Sequence, residues 1–152
     1  TVSLVTKYID TEDTIGLRHL VLREGQPRAS SYMTGDDLES TKHLGAFLDF
    51  KCIGVLSLFL AKTEKHASPS QYQLRGMAVH PKHQHKGVGK ALVAFAEKEL
   101  KENHIEVLWC NARTKACGFY KNLNFEICSD EFFIPKIGAH FVMAKSLTSY
   151  ES

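Results

Sequence analysis

The densest run of chemistry-bearing residues is His80-Pro81-Lys82-His83-Gln84-His85-Lys86-Gly87-Val88-Gly89-Lys90, placed between a strand-like segment and a helix-like one. A helix start leaves several backbone N–H groups without partners, and the aligned peptide dipoles make that end electropositive. Gly87 and Gly89 carry no Cβ, so an anion can approach the backbone closely, and Lys86 and Lys90 add charge at the same point. The chemistry expected of Gln84, His85, Lys86, Gly87, Val88, Gly89 and Lys90 is retention of a diphosphate. The bland alternative is a surface turn leading into a capped helix.

Two other phosphate loops can be checked against this stretch, and both fail. A Walker A loop needs glycine five residues before Gly89 and Ser or Thr after the lysine, where this chain has Gln84 and Ala91. The dinucleotide fingerprint needs a third glycine where Leu92 stands. His80, His83 and His85 have no Asp, Glu or Cys beside them, so no metal site is expected. Cys110 and Cys117 are weak candidates for an acyl-carrying nucleophile, since Cys110 falls in an expected core strand.

Among the charged residues Arg75 stands out on physical grounds. It lies in the middle of a strand-like segment, and strict alternation puts it on one face with Gln73, Met77 and Val79. An arginine in such a place needs a partner, because desolvating its charge is costly. That partner is either an Asp or Glu of this chain or an anionic ligand. Arg113 falls just past a strand end and Arg23 at a helix C-terminus, where a cation is favoured anyway. His140 opens the last strand; imidazole titrates near neutral pH, which suits proton removal, although a lone histidine is more often structural. Tyr120, on a short helix, reads as a core residue whose phenol is able to give up a proton.

The elements that must position these residues follow from periodicity. Val2 to Ile9 reads as a strand, and Asp10 and Thr11 offer N-caps for a helix with Leu17, Leu20 and Val21 on one face. Gly25-Gln26-Pro27 ends it, and Arg28 to Leu38 is a loop or short second helix. His43 to Asp49 and Cys52 to Lys62 form a hairpin turning at Phe50-Lys51, and Tyr72 to Val79 is a third strand closed by Pro81. The helix from Val88 to Glu102 keeps Val88, Ala91, Leu92, Phe95, Ala96 and Leu100 on one face and Lys90, Glu97, Lys98 and Lys101 on the other. Ile105 to Asn111, Phe125 to Cys128 and His140 to Leu147 are strands, with a short helix over Lys115 to Asn122. Strands alternating with helices after an initial hairpin predict an α/β layer fold with a mixed sheet.

A length of 152 residues predicts a single domain, residues 1–152. No apolar run approaches the roughly 20 residues that cross a bilayer, and no secretion signal is visible. Four cysteines without CxxC spacing suit reduced thiols in a cytoplasm. A net charge of +2 is too small to argue for nucleic acid, so affinity for anions must come from local placement.

The pattern Gln84-x-x-Gly87-x-Gly89 after a strand resembles the acetyl-CoA loop of the GCN5-related N-acetyltransferase (GNAT) superfamily. Gly118-Phe-Tyr-Lys-Asn-Leu-Asn-Phe125 resembles that superfamily's following helix and strand, where a tyrosine faces the thioester sulfur. Within it, Tyr72-Gln-Leu-Arg-Gly-Met-Ala78, Leu108-Trp-Cys-Asn-Ala-Arg-Thr114, Ile134-Pro-Lys-Ile-Gly-Ala-His140, Arg18-His19, Leu22-Arg23 and Gln26-Pro27 are similar to segments of the bacterial glyphosate N-acetyltransferases, over about Tyr8 to Thr148. Three departures stand out: the glycine loop is nearer the superfamily norm, Asn124 replaces a usual Gly, and Ala139 replaces a Pro.

The resemblance implies a mixed sheet opened into a V, with acetyl-CoA in the V and its pantetheine arm along Met77, Ala78 and Val79. It implies Arg23, Arg75 and Arg113 as grips for a small anionic amine, His140 as general base and Tyr120 as general acid. Together with composition and charge, the expectation is a cytoplasmic monomer or weak dimer that uses no metal and binds neither nucleic acid nor membrane. Rival readings are a family member acting on a peptide or polyamine amine, and a non-catalytic acetyl-CoA sensor. The carried-over basic residues argue against cationic acceptors.

Overall fold

A computed structural model describes residues 3–148, so Val2, the expected start of the first strand, lies outside the described residues. The elements in chain order are β1 (Leu4–Ile9), α1 (Thr11–Leu22), β2 (Lys42–Leu48), β3 (Lys51–Phe59), β4 (Gln71–Val79), α2 (Val88–Glu102), β5 (Val107–Arg113), α3 (Cys117–Asn122), β6 (Glu126–Ile127), β7 (Phe132–Ile134) and β8 (Gly138–Ser146). Short 3₁₀ turns cover Arg28–Ser31, Pro81–His83 and Thr114–Ala116. Parallel and antiparallel pairings both occur, so the fold class is α/β with a mixed sheet, as the alternation of elements predicts.

The chain divides into two compact units. One holds the N-terminal segment through Phe59 together with Leu74–Lys98; the other holds Leu60–Gln73 and Glu99 onward. In the first unit the strands run in the order β1-β2-β3-β4. β2 and β3 are buried along most of their length, with Leu44, Ala46, Ile53, Val55, Leu56 and Leu58 almost fully enclosed, which explains why their apolar runs show little alternation. The hairpin between them turns at Asp49-Phe50, both in the left-handed region (φ 50° and 66°), one residue earlier than expected because Lys51 already belongs to β3. Asp10 caps α1, and the Asp13 carboxylate accepts the Asp10 N–H at 3.0 Å.

In the second unit the first residues of β4 run parallel to β5, with Gln71 opposite Val107 and Gln73 opposite Trp109. β5 pairs antiparallel with β8, which also carries β6 and β7. Val107, Trp109, Val142 and Ala144 form its core, joined by Ala61, Cys128 and Phe132, and the Trp109 indole donates to the Ala61 carbonyl at 2.9 Å. Two details differ from the sequence reading. β5 extends to Arg113, which is therefore a strand residue. β7 appears where no strand is expected, since its three residues owe their extended form to pairing with β8.

Candidate active site

The loop after β4 is built around three local features. The His80 ring nitrogen Nδ1 accepts the Lys82 N–H at 3.1 Å and starts the 3₁₀ turn, while the His80 N–H donates to Ile53 O at 2.8 Å and ties the loop to β3. The Gln84 amide reaches back to Val79 O at 3.0 Å. His85 and Gly87 both take positive φ (63° and 85°), and Gly87 O accepts Ala91 N–H at 3.0 Å as α2 begins. Val88 opens α2, whose first-turn amides have no intrahelical acceptor, as at any helix start. The loop is electropositive: desolvation, then the charges of Lys86, His80, Lys51 and Lys82, lower the pKa of His83.

Gly54 on β3 decides where that helix start sits, and nothing in the sequence pattern singled it out. A Cβ there would come within 2.8 Å of Val88 Cγ1 and 3.1 Å of Leu92 Cδ1, so only glycine lets α2 lie this close to the sheet. No spacing rule exposes such a residue, because the demand arises only when two elements meet.

Arg75 lies opposite its simple alternation. Gly76 takes φ 65° and breaks the pleat, so the two sides of β4 change phase there. Val79 faces Gly54, Val88 and Leu92, whereas Ala78 packs with Leu17 and Val55. Arg75 lies over the Phe59 ring (5.2 Å), and Phe59 stacks edge-on against His43. His43 and Arg18 share Ser57, so Arg75 falls on the α1 side with Ala78 and not with Val79. The Cβ-free Gly76 also makes room for Arg18 Nε and Met33, each 3.2 Å from where a Cβ would stand.

This side holds three arginines with unlike fates. Arg18 is completely buried and bidentate to Asp36 (2.8 and 2.9 Å), with further bonds to Ser31 O and Ser57 Oγ. Asp36 also accepts the Met33 N–H at 2.7 Å. Burial pushes the Asp36 carboxyl up, but the bonds from Arg18 and Met33 and the Arg18 charge outweigh it and hold it below the usual range. Arg75 is exposed, and among the described residues no carboxylate pairs with it. Desolvation lowers its pKa, as do the charges of Arg18 and Arg23, with Asp36 acting the other way. Arg23 caps the end of α1, its guanidinium donating to Leu22 O at 3.0 Å. Arg23 and Arg75 are thus brought into one electrostatic neighbourhood whose carboxylate is already engaged by Arg18.

The second unit contains Arg113, His140 and Tyr120. Arg113 stands directly opposite His140 in the β5–β8 pair, and Phe132 stands opposite His140 in the β7–β8 pair. His140 is 4% exposed, and its Nδ1 lies 2.7 Å from Gly138 O. A carbonyl only accepts, so that contact requires the proton on Nδ1 and leaves Nε2 of the neutral ring with its lone pair free. Tyr120 is buried against Phe119 and Phe125 and hydrogen-bonded to the Cys110 thiol. Burial, with Cys110 adding to it, raises the phenol's pKa, and burial pushes the Cys110 thiol up to about 12. Cys110 is 2% exposed, and this burial favours the protonated thiol over the thiolate that nucleophilic attack would need. Asn124 takes φ 71°, the left-handed geometry that asparagine tolerates where the resemblance expects glycine.

Residues 12–125 match the sequence model of the acetyltransferase (GNAT) family. The chain belongs to the GNAT acetyltransferase family. An uncharacterised N-acetyltransferase of Bacillus subtilis is 35% identical over 144 residues, covering 95% of this chain and 97% of that protein. Among solved structures, an aminoglycoside 6'-N-acetyltransferase complexed with coenzyme A is similar over 97% of this chain and 99% of its own, with a TM-score of 0.78 at 13% identity. The ribosomal-protein-S18-alanine N-acetyltransferase of Escherichia coli is similar over 98% of this chain and 97% of its own, with a TM-score of 0.75 at 16% identity. At such identities the likeness is one of fold.

As a GNAT acetyltransferase the chain is an enzyme, and the acetyl donor of its family is acetyl-CoA. Among the described residues no cluster of His, Cys, Asp and Glu is arranged to hold a metal, and no helix is long and apolar enough to cross a membrane. The loop that carries Gln84, Gly87 and Gly89 into α2 falls where the sequence places it, between β4 and the helix. Phe132, Gly54 and the Arg18–Asp36 pair were not legible in this way, since each acts only through contacts made in the folded chain.

Proposed function

We propose that this enzyme transfers acetyl from acetyl-CoA to the amine of a small anionic acceptor, such as an amino acid bearing a phosphonate, phosphate or second carboxylate, with glyphosate as a synthetic member of that class. The observation that carries the acceptor class is the pair of cations Arg23 and Arg75, which have no carboxylate partner among the described residues, near an Asp36 already held by Arg18. Guanidinium groups match carboxylate and phosphonate oxygens two at a time.

In this reading the diphosphate of acetyl-CoA rests on amides between Gln84 and Lys90, and the pantetheine arm follows β4 along Met77, Ala78 and Val79. The acceptor arrives largely as an ammonium, which has no lone pair. His140 Nε2 takes one proton from it, directly or through water. The freed amine attacks the thioester carbonyl; the C–O π electrons move to oxygen, and a backbone N–H near Met77 meets that oxyanion. Collapse breaks the C–S bond with its electron pair leaving on sulfur; Tyr120 gives its proton to the departing thiolate, and the surplus proton on the acylated nitrogen passes through water to the phenolate, leaving a neutral amide and a restored Tyr120. Its raised pKa keeps the phenol protonated until that moment, and means that the proton moves only to a strong base such as a poorly solvated thiolate.

The test is thiol release from acetyl-CoA across a panel of acidic, neutral and cationic amines. Acidic amino compounds are expected to be the best acceptors, and Arg75→Ala is expected to raise their KM at least about tenfold while leaving the KM for acetyl-CoA unchanged. Preference for polyamines or peptides, or an unaltered acceptor KM in the variant, would refute the anion-clamp reading. Binding of acetyl-CoA with no turnover of any amine would favour a sensor.

A further inference from the structure

β7 is three residues long and was invisible to pattern reasoning, yet its first residue does something specific. Phe132 pairs with His140 across β7–β8, and the two rings form an offset stack, tilted by 28° with centroids 5.9 Å apart. On the other side of β8, Arg113 pairs with the same histidine. Directly opposed residues on neighbouring strands share a face, so β7, β8 and β5 carry a row of aromatic ring, imidazole and guanidinium. The imidazole is thus constrained twice: the hydrogen bond from Nδ1 to Gly138 O fixes one edge, and the Phe132 ring fixes the plane.

We propose that Phe132 is a positioning residue for acetyl transfer, holding the His140 ring in the plane and tautomer that present the bare Nε2 to the incoming ammonium. The inference rests on the reading of His140 as the base. One hydrogen bond leaves a ring free to rock about its axis; a second, flat contact removes that freedom. When Nε2 takes the proton, the ammonium N–H bond breaks, the Nε2–H bond forms, and an imidazolium results. The aromatic face then lies against a cation, an attraction the neutral ring does not have. The contact therefore gains strength along the reaction, so its loss falls on turnover and not on substrate affinity.

The test uses the full chain with ¹⁵N-labelled histidine, in the range where imidazole is neutral. The His140 signals are those missing from the His140→Gln variant. Wild type is expected to show one tautomer at this ring, with the proton on Nδ1. Phe132→Leu, which keeps apolar bulk but has no flat face, is expected to mix the two tautomers and to lower kcat about tenfold with the KM for acetyl-CoA unchanged. Phe132→Tyr keeps the stack and should restore both readouts to within about twofold of wild type. Phe132→Met serves in place of the leucine variant should that one fail to fold. A single Nδ1–H tautomer and an undiminished kcat in the leucine or methionine variant would overturn the proposal. Full turnover in His140→Ala would instead sink the base assignment, while the spectra still report on whether Phe132 orders the ring.

Discussion

Arg18 and Arg75 carry the same charge in the same unit and have opposite surroundings. Arg18 is enclosed, doubly bonded to Asp36 and bonded again to Ser31 and Ser57. Arg75 is open to solvent, leans on the Phe59 ring and has no carboxylate partner among the described residues. The first arrangement consumes its charge internally; the second keeps it available. The two are linked because Asp36 favours charge on Arg75 while being committed to Arg18. A buried ion pair of this kind matters less for its net stabilisation, which is often near zero, than for what its anion is prevented from doing.

That comparison can be broken most forcefully at Arg18. Arg18→Met strands the Asp36 carboxylate and is expected to cost about 3–5 kcal/mol of unfolding free energy, read by urea denaturation. Replacing both partners, as in Arg18→Met with Asp36→Leu, should recover most of that loss. An equally large loss in the double variant would mean that packing around Arg18, not the pair, holds this region. Arg75→Ala should change stability by no more than about 0.5 kcal/mol, because its charge is not internally paired.

A smaller effect concerns acid. The Asp36 pKa is depressed in the folded protein, so its stabilisation is complete above the ordinary carboxylate value, about 3.9 in an unfolded chain, and fades as pH falls below that toward the folded value. Thermal melts of wild type in that acid range should lose stability more steeply than those of the Arg18→Met/Asp36→Leu variant. Matching slopes would show that other carboxylates dominate.

How much could be read in advance follows from where each demand arises. α2 was legible from Val88 to Glu102 because its burial row, Val88, Leu92, Ala96 and Leu100, is written at helical spacing. The loop before α2 was legible as a loop because its glycines and lysines are contiguous; its role in holding a diphosphate is the proposal made above. Arg75 was rightly singled out as needing an explanation, but its face was misassigned, since a single left-handed glycine shifts the phase of β4. Arg18 drew notice only for its likeness to family segments, and its buried role depends on Asp36 and Ser57 arriving from two other elements. β7 and the ring it sets against His140 arise from pairing with β8 and have no local signature.

Gly54 carries a lesson for anyone surveying inactive variants of this enzyme. It lies in the body of a strand, yet a single added methyl group would shove the first turn of α2 outward and with it the amides on which coenzyme retention is proposed to depend. Gly54→Ala is expected to raise the KM for acetyl-CoA while its circular-dichroism spectrum stays that of the wild type. Weakened coenzyme retention in a mutant screen is therefore no proof of contact, and the map of sensitive positions should be wider than the footprint of the ligand.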